Sequence, residues 1–298
     1  MAYFLCGEGS GVTVTVDGVE VEELHLVSGG AIDESVSTLP YNFTNSSAVV
    51  FNDEIHILGS SDTGGNYSHY KYNDTSWTKV STLPNSFYQG CAVVYKDELC
   101  ILGGVNTATS NYKYNGTSWV SRTSLPYNLN AGGAVVYNDE IHIMGSTGDY
   151  TKHYKYNGTS WTSVSTLPYN FYGGGAIVFK DEIHIMSSGA SSSHYQKHYK
   201  FNGTSWTSVS TLPYSFYGGR ATVFKDEIHI LGSNNSSYYT YHYKYNGTSW
   251  TNVSTLPYSF YLGGVVVNKD TVHMLGGNGG ATNHYAIQKP IYVKGGAA

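Results

Sequence analysis

The stretch GGAIVFKDEIHIMSSGASSSHYQKHYKFNGTSWTSVSTLP, residues 174–213, decides the fold. Gly175-Ala176-Ile177-Val178-Phe179 is a short apolar run of strand type. Lys180-Asp181 makes a two-residue turn, and Glu182-Ile183-His184-Ile185-Met186 alternates as the returning strand. After a loop, His198-Tyr199-Lys200-Phe201 reads as a third strand. Asn202-Gly203 turns the chain into Ser205-Trp206-Thr207-Ser208-Val209, the fourth. Leu212-Pro213 ends it, because proline has no amide to donate to a ladder. The stretch predicts a four-stranded antiparallel meander.

Outward from it, the same pattern recurs. Leu-Pro falls at 39–40, 83–84, 125–126, 167–168, 212–213 and 256–257, spaced 44, 42, 42, 45 and 44 residues apart. A Trp precedes five of the six, at Trp77, Trp119, Trp161, Trp206 and Trp250. Such a period marks one supersecondary unit, which cannot bury its apolar faces alone and must stack on its neighbours. The last copy, from Tyr258, has three strands and then reaches Lys289-Pro290 with no Trp strand. Asp33-Glu34-Ser35-Val36-Ser37-Thr38, before the first Leu-Pro, aligns with Trp161-Thr162-Ser163-Val164-Ser165-Thr166. An orphan fourth strand at one end and a missing one at the other predict ring closure. The expected fold is all-β, a six-bladed β-propeller of four-stranded antiparallel blades, closed by an N-terminal strand completing the last blade.

The propeller is expected over 31–288, with 1–30 as an acidic N-terminal hairpin or attachment arm and 289–298 as a C-terminal tail. Val12-Thr13-Val14-Thr15-Val16, Asp17-Gly18 and Val19-Glu20-Val21 carry the hairpin signal. Residues 1–34 hold seven acids and no Lys or Arg, while the remainder is about +2. Only 12% of the chain is charged, against about 25% in an average domain, and Tyr (29), Gly (35), Ser, Thr and Asn take the place of charge. Just two Arg occur, Arg122 and Arg220, which argues against nucleic acid as a partner. Three Cys (Cys6, Cys91, Cys100) make no disulfide framework, and Cys91 and Cys100 lie diagonally on one hairpin. No signal peptide or membrane-inserting segment is read.

The unit resembles the kelch repeat: an apolar first strand, a second strand running into a Gly pair, a Tyr on the third strand and a Trp a few residues later. The Gly pair is intact at Gly103-Gly104 and Gly276-Gly277 and degraded to Gly59-Ser60, Gly145-Ser146, Ser187-Ser188 and Gly232-Ser233. The resemblance covers about 31–288 and implies a propeller. Kelch blades also occur in galactose-oxidase-like copper enzymes, whose Tyr/His/Cys constellation cannot be placed here, and in bacterial sialic-acid mutarotases. In the latter case a carboxylate-clamping site would rest almost wholly on Arg220.

Histidine recurs on the second strand (His56, His142, His184, His229, His273) and the third (His69, His153, His198, His242, His284). One His per blade cannot converge on an ion, since facing sheets lie about 10 Å apart and zinc needs donors at about 2 Å. The rings are therefore expected to be structural, with no metal or other cofactor. Copy two replaces both positions at once, with Cys100 and Asn111, so the two rings should touch within a blade. The repeated Asp-Glu pairs, such as Asp181-Glu182, read as solvated turns rather than a glycosidase pair. Asn-Gly-Thr-Ser-Trp at 157–161 resembles the Asp-box of sialidase-like propellers but lacks its Ser and Asp, and reads as a turn.

Irregularity is the better guide to function. The loops joining strands two and three should emerge on the same face as the blade-to-blade connections. They differ between copies, are nearly uncharged, and carry Tyr67, Tyr150, Tyr195, Tyr238 and Tyr239. In the connections a Phe (Phe43, Phe87, Phe171, Phe216, Phe260) is expected to pack between blades. The next residue is Tyr88, Tyr172, Tyr217 or Tyr261 in four copies but Thr44 and Asn130 in two. Ser47, Cys91, Gly133, Gly175, Arg220 and Gly264 should face the channel. The candidate ligand-binding residues are thus Tyr88, Tyr172, Tyr217, Arg220, Tyr261, Tyr150, Tyr195 and Tyr239; exposed Tyr with Ser, Asn and Gly suits sugars or a flat epitope. The leading expectation is a non-catalytic module binding a glycan or surface protein, as on an extracellular or virion surface, with 1–30 for attachment or homo-oligomerisation. A carbohydrate-active enzyme near Arg220 and a cytoplasmic kelch adaptor are the alternatives.

Overall fold

The computed structural model describes residues 36–187, 196–235 and 237–287, together with the backbone of 14–16, 19–21, 24–26, 33–35 and 292–294. The chain divides into two units, Ile32–Ile287 and a smaller one of Met1–Ala31 with Gln288–Ala298. In the smaller unit Val14–Val16 pairs antiparallel with Val19–Val21. Leu24–Leu26 pairs with Tyr292–Lys294, so the arm and the tail, read separately in the sequence, share a ladder.

The larger unit is a six-bladed β-propeller of four-stranded antiparallel sheets. Blade three shows the pattern: Gly133–Tyr137, Glu140–Met144, His153–Tyr156 and Trp161–Ser163, in that order across the sheet. Blade one spans 47–82, blade two 91–121, blade four 175–208 and blade five 220–255. Blade six takes Gly264–Asn268, Thr271–Leu275 and Asn283–Ile287 from one end and Asp33–Thr38 from the other, with Ser37 opposite His284. Both residues of each first turn have positive φ, for example Lys180 (50°) and Asp181 (56°). That conformation matches the right-handed twist of a two-residue hairpin. The Asp-Glu pairs are accordingly turn and strand residues. Each Glu meets a Lys across the strands, as in Glu182–Lys200 at 2.8 Å.

Apolar burial follows the blade boundaries. Each hydrophobic cluster joins two neighbouring blades, such as Val135, Tyr137 and Met144 of blade three with Phe171, Ile183, Ile185 and Phe201 of blade four. The cluster of Val266, Leu275, Phe43 and Ile55 does the same between blades six and one. Second strands are covered on both faces, which is why Ile183, His184, Ile185 and Met186 are all buried despite their alternating sequence. The connection phenylalanines are buried as expected, Phe171 fully.

A second device closes the ring. Asn45, Gln89, Ala131, Gly173, Gly218 and Leu262 precede the first strands and all adopt left-handed backbone, with φ between 53° and 67°. Each donates its amide to the carbonyl of its counterpart one blade back. The bonds run Gln89 to Asn45 (2.6 Å), Ala131 to Gln89 (2.7 Å), Gly173 to Ala131 (2.6 Å), Gly218 to Gly173 (2.8 Å) and Leu262 to Gly218 (2.7 Å). Asn45 completes the circle on Leu262 (2.7 Å). Left-handed backbone costs a non-glycine residue about 1–2 kcal/mol, so four of the six positions hold strain that the ring must offset.

The histidine rings belong to this scaffold. His184 Nδ1 lies 2.8 Å from His198 Nε2, and the pair recurs in blades one, three, five and six at 2.8–2.9 Å. In blade one the chain continues from His69 Nδ1 to Ser81 Oγ (2.8 Å), which accepts from Trp119 Nε1 of blade two (3.0 Å). In blade six it runs from His284 to Ser37 (2.9 Å), which accepts from Trp77 of blade one (3.0 Å). Ring closure is thus held by a polar chain as well as by strand pairing.

The first Gly of the pair, in the five blades that keep it, has a steric reason. A methyl on Gly145 (φ 57°) would overlap the Phe171 carbonyl oxygen of the next connection, and Gly59, Gly103, Gly232 and Gly276 meet the same obstacle. Gly116 also has positive φ (93°), but nothing lies within 4 Å of a methyl there. Gly116→Ala should therefore lower stability by about 1–2 kcal/mol through backbone strain alone. Gly145→Ala should cost a further ~1–3 kcal/mol from overpacking. Urea unfolding of the two variants checks the difference.

Burial holds the histidines neutral. Loss of hydration, the larger cause, brings His56, His142, His184, His229 and His273 down to about 4. With the partner imidazole adding to it, the same effect brings His69, His153, His198, His242 and His284 to about 3. The unfolded chain takes up these protons near pH ~6.5, so their contribution to stability is complete above that pH. It is lost as pH falls below that, down to about 4 for the second-strand histidines and about 3 for the third-strand ones. Replacing His142→Cys, His153→Asn and Val164→Arg, which copies blade two, should reduce the pH slope of stability in that window by roughly two protons. Denaturation series at several pH values read that slope.

Candidate functional site

The antiparallel meander sends the two–three loops and the blade-to-blade connections to one face. Backbone hydrogen bonds lock them together there. Phe171 donates its amide to Tyr150 O (2.9 Å) in the preceding blade's loop, and Phe260 does the same to Tyr239 O (3.0 Å). The carbonyl of the following, irregular residue accepts from its own blade's loop: Tyr88 from Val105 (3.0 Å), Asn130 from Thr147 (2.9 Å), Tyr217 from Asn234 (2.5 Å) and Tyr261 from Asn278 (3.0 Å). The residue after that is the left-handed member of the ring. Each variable side chain is therefore carried on a backbone fixed from both sides.

Serine supplies a further tether where the sequence shows a degraded Gly pair. Ser60 Oγ donates to Asn42 O (2.6 Å) and accepts from the Thr44 amide (3.2 Å). Ser146 Oγ bridges Asn128 O (2.5 Å) and the Asn130 amide (2.9 Å), and Ser233 Oγ bridges Ser215 O (2.7 Å) and the Tyr217 amide (3.2 Å). The hydroxyl pins the connection, so these positions are substitutions with a gain. A run of Ser at the second place of the pair is the signal that could have shown it.

The structure brings most of the candidate tyrosines together in two groups. Tyr150 of blade three's loop meets Tyr172 at 5.4 Å between ring centroids, and Tyr172 meets Tyr217 edge-on at 6.2 Å. Tyr239 of blade five's loop stacks on Tyr261 at 5.1 Å and 16°. All five are half-buried. Tyr88 is also half-buried, on the far side of Asn130 in the connection order. Tyr195 lies outside the described residues, as does Cys6. Tyr67, on blade one's loop, is the most exposed of these aromatics at 48%.

Inside the ring, Ser47, Cys91, Gly133, Gly175, Arg220 and Gly264 all line the channel mouth, a cavity of about 190 Å³. Its wall consists mainly of small residues. Arg220 is the charged side chain among them, donating to the carbonyls of Gly218 (3.4 Å) and Gly219 (3.1 Å). Burial lowers its pKa to about 10, which leaves it a cation at neutral pH. Burial also pushes the Cys91 thiol up to about 12, against the pull of Arg220, so it is a neutral thiol. Cys91 and Cys100 are both free thiols. Among the described residues no three His, Cys, Asp or Glu side chains are grouped to hold a metal ion.

Sequence reasoning missed the ring of left-handed residues. Its members are Asn, Gln, Ala, Gly, Gly and Leu, so residue type conceals a shared backbone conformation. Only the two glycines and the asparagine hint at it.

No protein-family model matches the chain, and no curated protein matches it in sequence. Among solved structures, YjhT superposes with a TM-score of 0.72 over 85% of this chain and 95% of YjhT, at 15% sequence identity. At that identity the likeness is one of fold: this chain and YjhT share the propeller architecture.

Proposed function

We propose that the protein is a recognition module that binds a glycan or a surface protein through the loop face of its propeller. The observation that carries this reading is the clustering of Tyr150, Tyr172 and Tyr217, and of Tyr239 and Tyr261, on a backbone locked by the ring. Rigid half-buried aromatics surrounded by Ser, Asn and Gly present apolar area with little ordering cost on binding. Tyr88 extends the same surface, and Arg220 offers one fixed charge at its centre. Sugar turnover at the channel mouth would need a second ionisable group beside Arg220. The lining contributes Cys91, whose thiol is held neutral, and small residues. The near-neutral loops and the acidic segment 1–30 suit an exposed bacterial or virion component, with that segment as its attachment or oligomerisation arm.

Glycan-array binding tests the reading. Tyr172→Ala or Tyr217→Ala should each weaken a hit by about 0.5–1.5 kcal/mol, roughly 2- to 12-fold. Unchanged binding in a folded variant lacking Tyr88, Tyr172, Tyr217 and Tyr261 together would refute the assigned face. Turnover of a sugar substrate abolished by Arg220→Ala would favour the enzyme instead.

A further inference from the structure

Blade two departs from its siblings in three linked places. Cys100 and Asn111 stand where five blades have the histidine pair, and Arg122 stands where the others have Val36, Val80, Val164, Val209 and Val253. The result is a cleft between blades two and three, on the face that carries the hairpin turns and away from the loop face. Arg122 lies against the rings of Tyr95 (5.4 Å) and Tyr156 (4.9 Å), and Lys96 Nζ sits 5.0 Å from the Tyr95 ring centre.

The polar groups of this cleft are incompletely used by the protein. Tyr95 is 2% exposed, and its hydroxyl is buried without a hydrogen-bond partner. It lies beside Gly158, where a methyl would come within 3.3 Å of the hydroxyl and 3.4 Å of Lys96 Nζ. The Arg122 guanidinium donates from Nη1 to Cys100 Sγ (3.0 Å) and makes no other hydrogen bond among the described residues. Lys113 is paired with Glu98 (2.7 Å), the one carboxylate in the lining, and Arg122 and Lys96 make no ion pair among the described residues. In blade one the corresponding His–His–Ser–Trp chain satisfies its donors within the protein. Here a guanidinium fork, an ammonium and a phenol donor line one cleft, a donor set suited to an oxyanion.

We infer that the cleft between blades two and three binds an oxyanion of the phosphate or sulfate class, held by Arg122, Lys96 and the Tyr95 hydroxyl. The neighbouring junction is a built-in control. Between blades three and four, Tyr137 keeps the phenol, but Asn138 and Val164 replace both cations. The inference is independent of the loop-face reading and can fail or stand without it.

Isothermal titration of the full chain with inorganic phosphate, inorganic sulfate and methyl phosphate, at ionic strength fixed with sodium chloride, tests it. Saturable binding of at least one probe is expected. Arg122→Met should weaken it about tenfold or more, as loss of a charge-assisted bond does. Tyr95→Phe and the solvent-exposed Lys96→Asn should weaken it less, and Tyr137→Phe should leave it unchanged. Binding of methyl phosphate alone would mark the ligand as an ester on a larger molecule, whereas binding of the inorganic ions marks a free-anion site. Absence of saturable binding by all three probes would overturn the inference. So would binding that is unaltered in both Lys96→Asn and Arg122→Met.

Discussion

Six amide-to-carbonyl hydrogen bonds, running blade to blade around the channel mouth, set the geometry on which the rest of the structure depends. Each bond requires its residue to be left-handed, and Gln89, Ala131, Asn45 and Leu262 accept that strain. Closing the chain of bonds pairs the last amide and carbonyl, which an open arc would leave without partners. Closure in turn requires all six blades, and hence the sixth sheet assembled from both ends of the propeller. The interblade clusters supply the larger stabilisation. The ring fixes where each connection begins, and therefore where each variable residue points.

That constraint explains the division between constant and changing residues. The buried Phe, the first Gly of the pair, the histidine pair and the Trp are all set by contacts with the next blade. A change in one must be answered in another. Blade two shows such an answer, since Cys100, Asn111 and Arg122 changed together. The residue between the buried apolar residue and the ring member makes the contacts common to the copies through its backbone. It can be Tyr88, Tyr172, Tyr217, Tyr261, Thr44 or Asn130 without disturbing the scaffold. Freedom of this kind on a rigid support is what a binding surface requires.

Much of the scaffold was legible in the sequence because it follows from residue type. Alternation and two-residue turns gave the meander, and the alignment of Asp33–Thr38 with Trp161–Thr166 located the closing strand. The joint loss of two histidines in copy two predicted their contact within a blade, now seen at 2.8–2.9 Å in the other five. The ring escaped because unlike side chains share one backbone state. The serine tethers escaped because a Ser for a Gly reads as decay until its hydroxyl is seen bridging two backbone groups. The tyrosine pairs escaped because Tyr150 and Tyr172, or Tyr172 and Tyr217, meet only once neighbouring blades are assembled. The ligand itself depends on loop surfaces whose chemistry is permissive.

The most direct test of the account is native-state hydrogen exchange at the ring amides of Asn45, Gln89, Ala131, Gly173, Gly218 and Leu262. If these bonds form one closed, cooperative circle, all six amides should exchange in the slowest class and with a common free energy, equal to that of global unfolding. Exchange of any of them at the rate of the surrounding loops, independently of the rest, would contradict it.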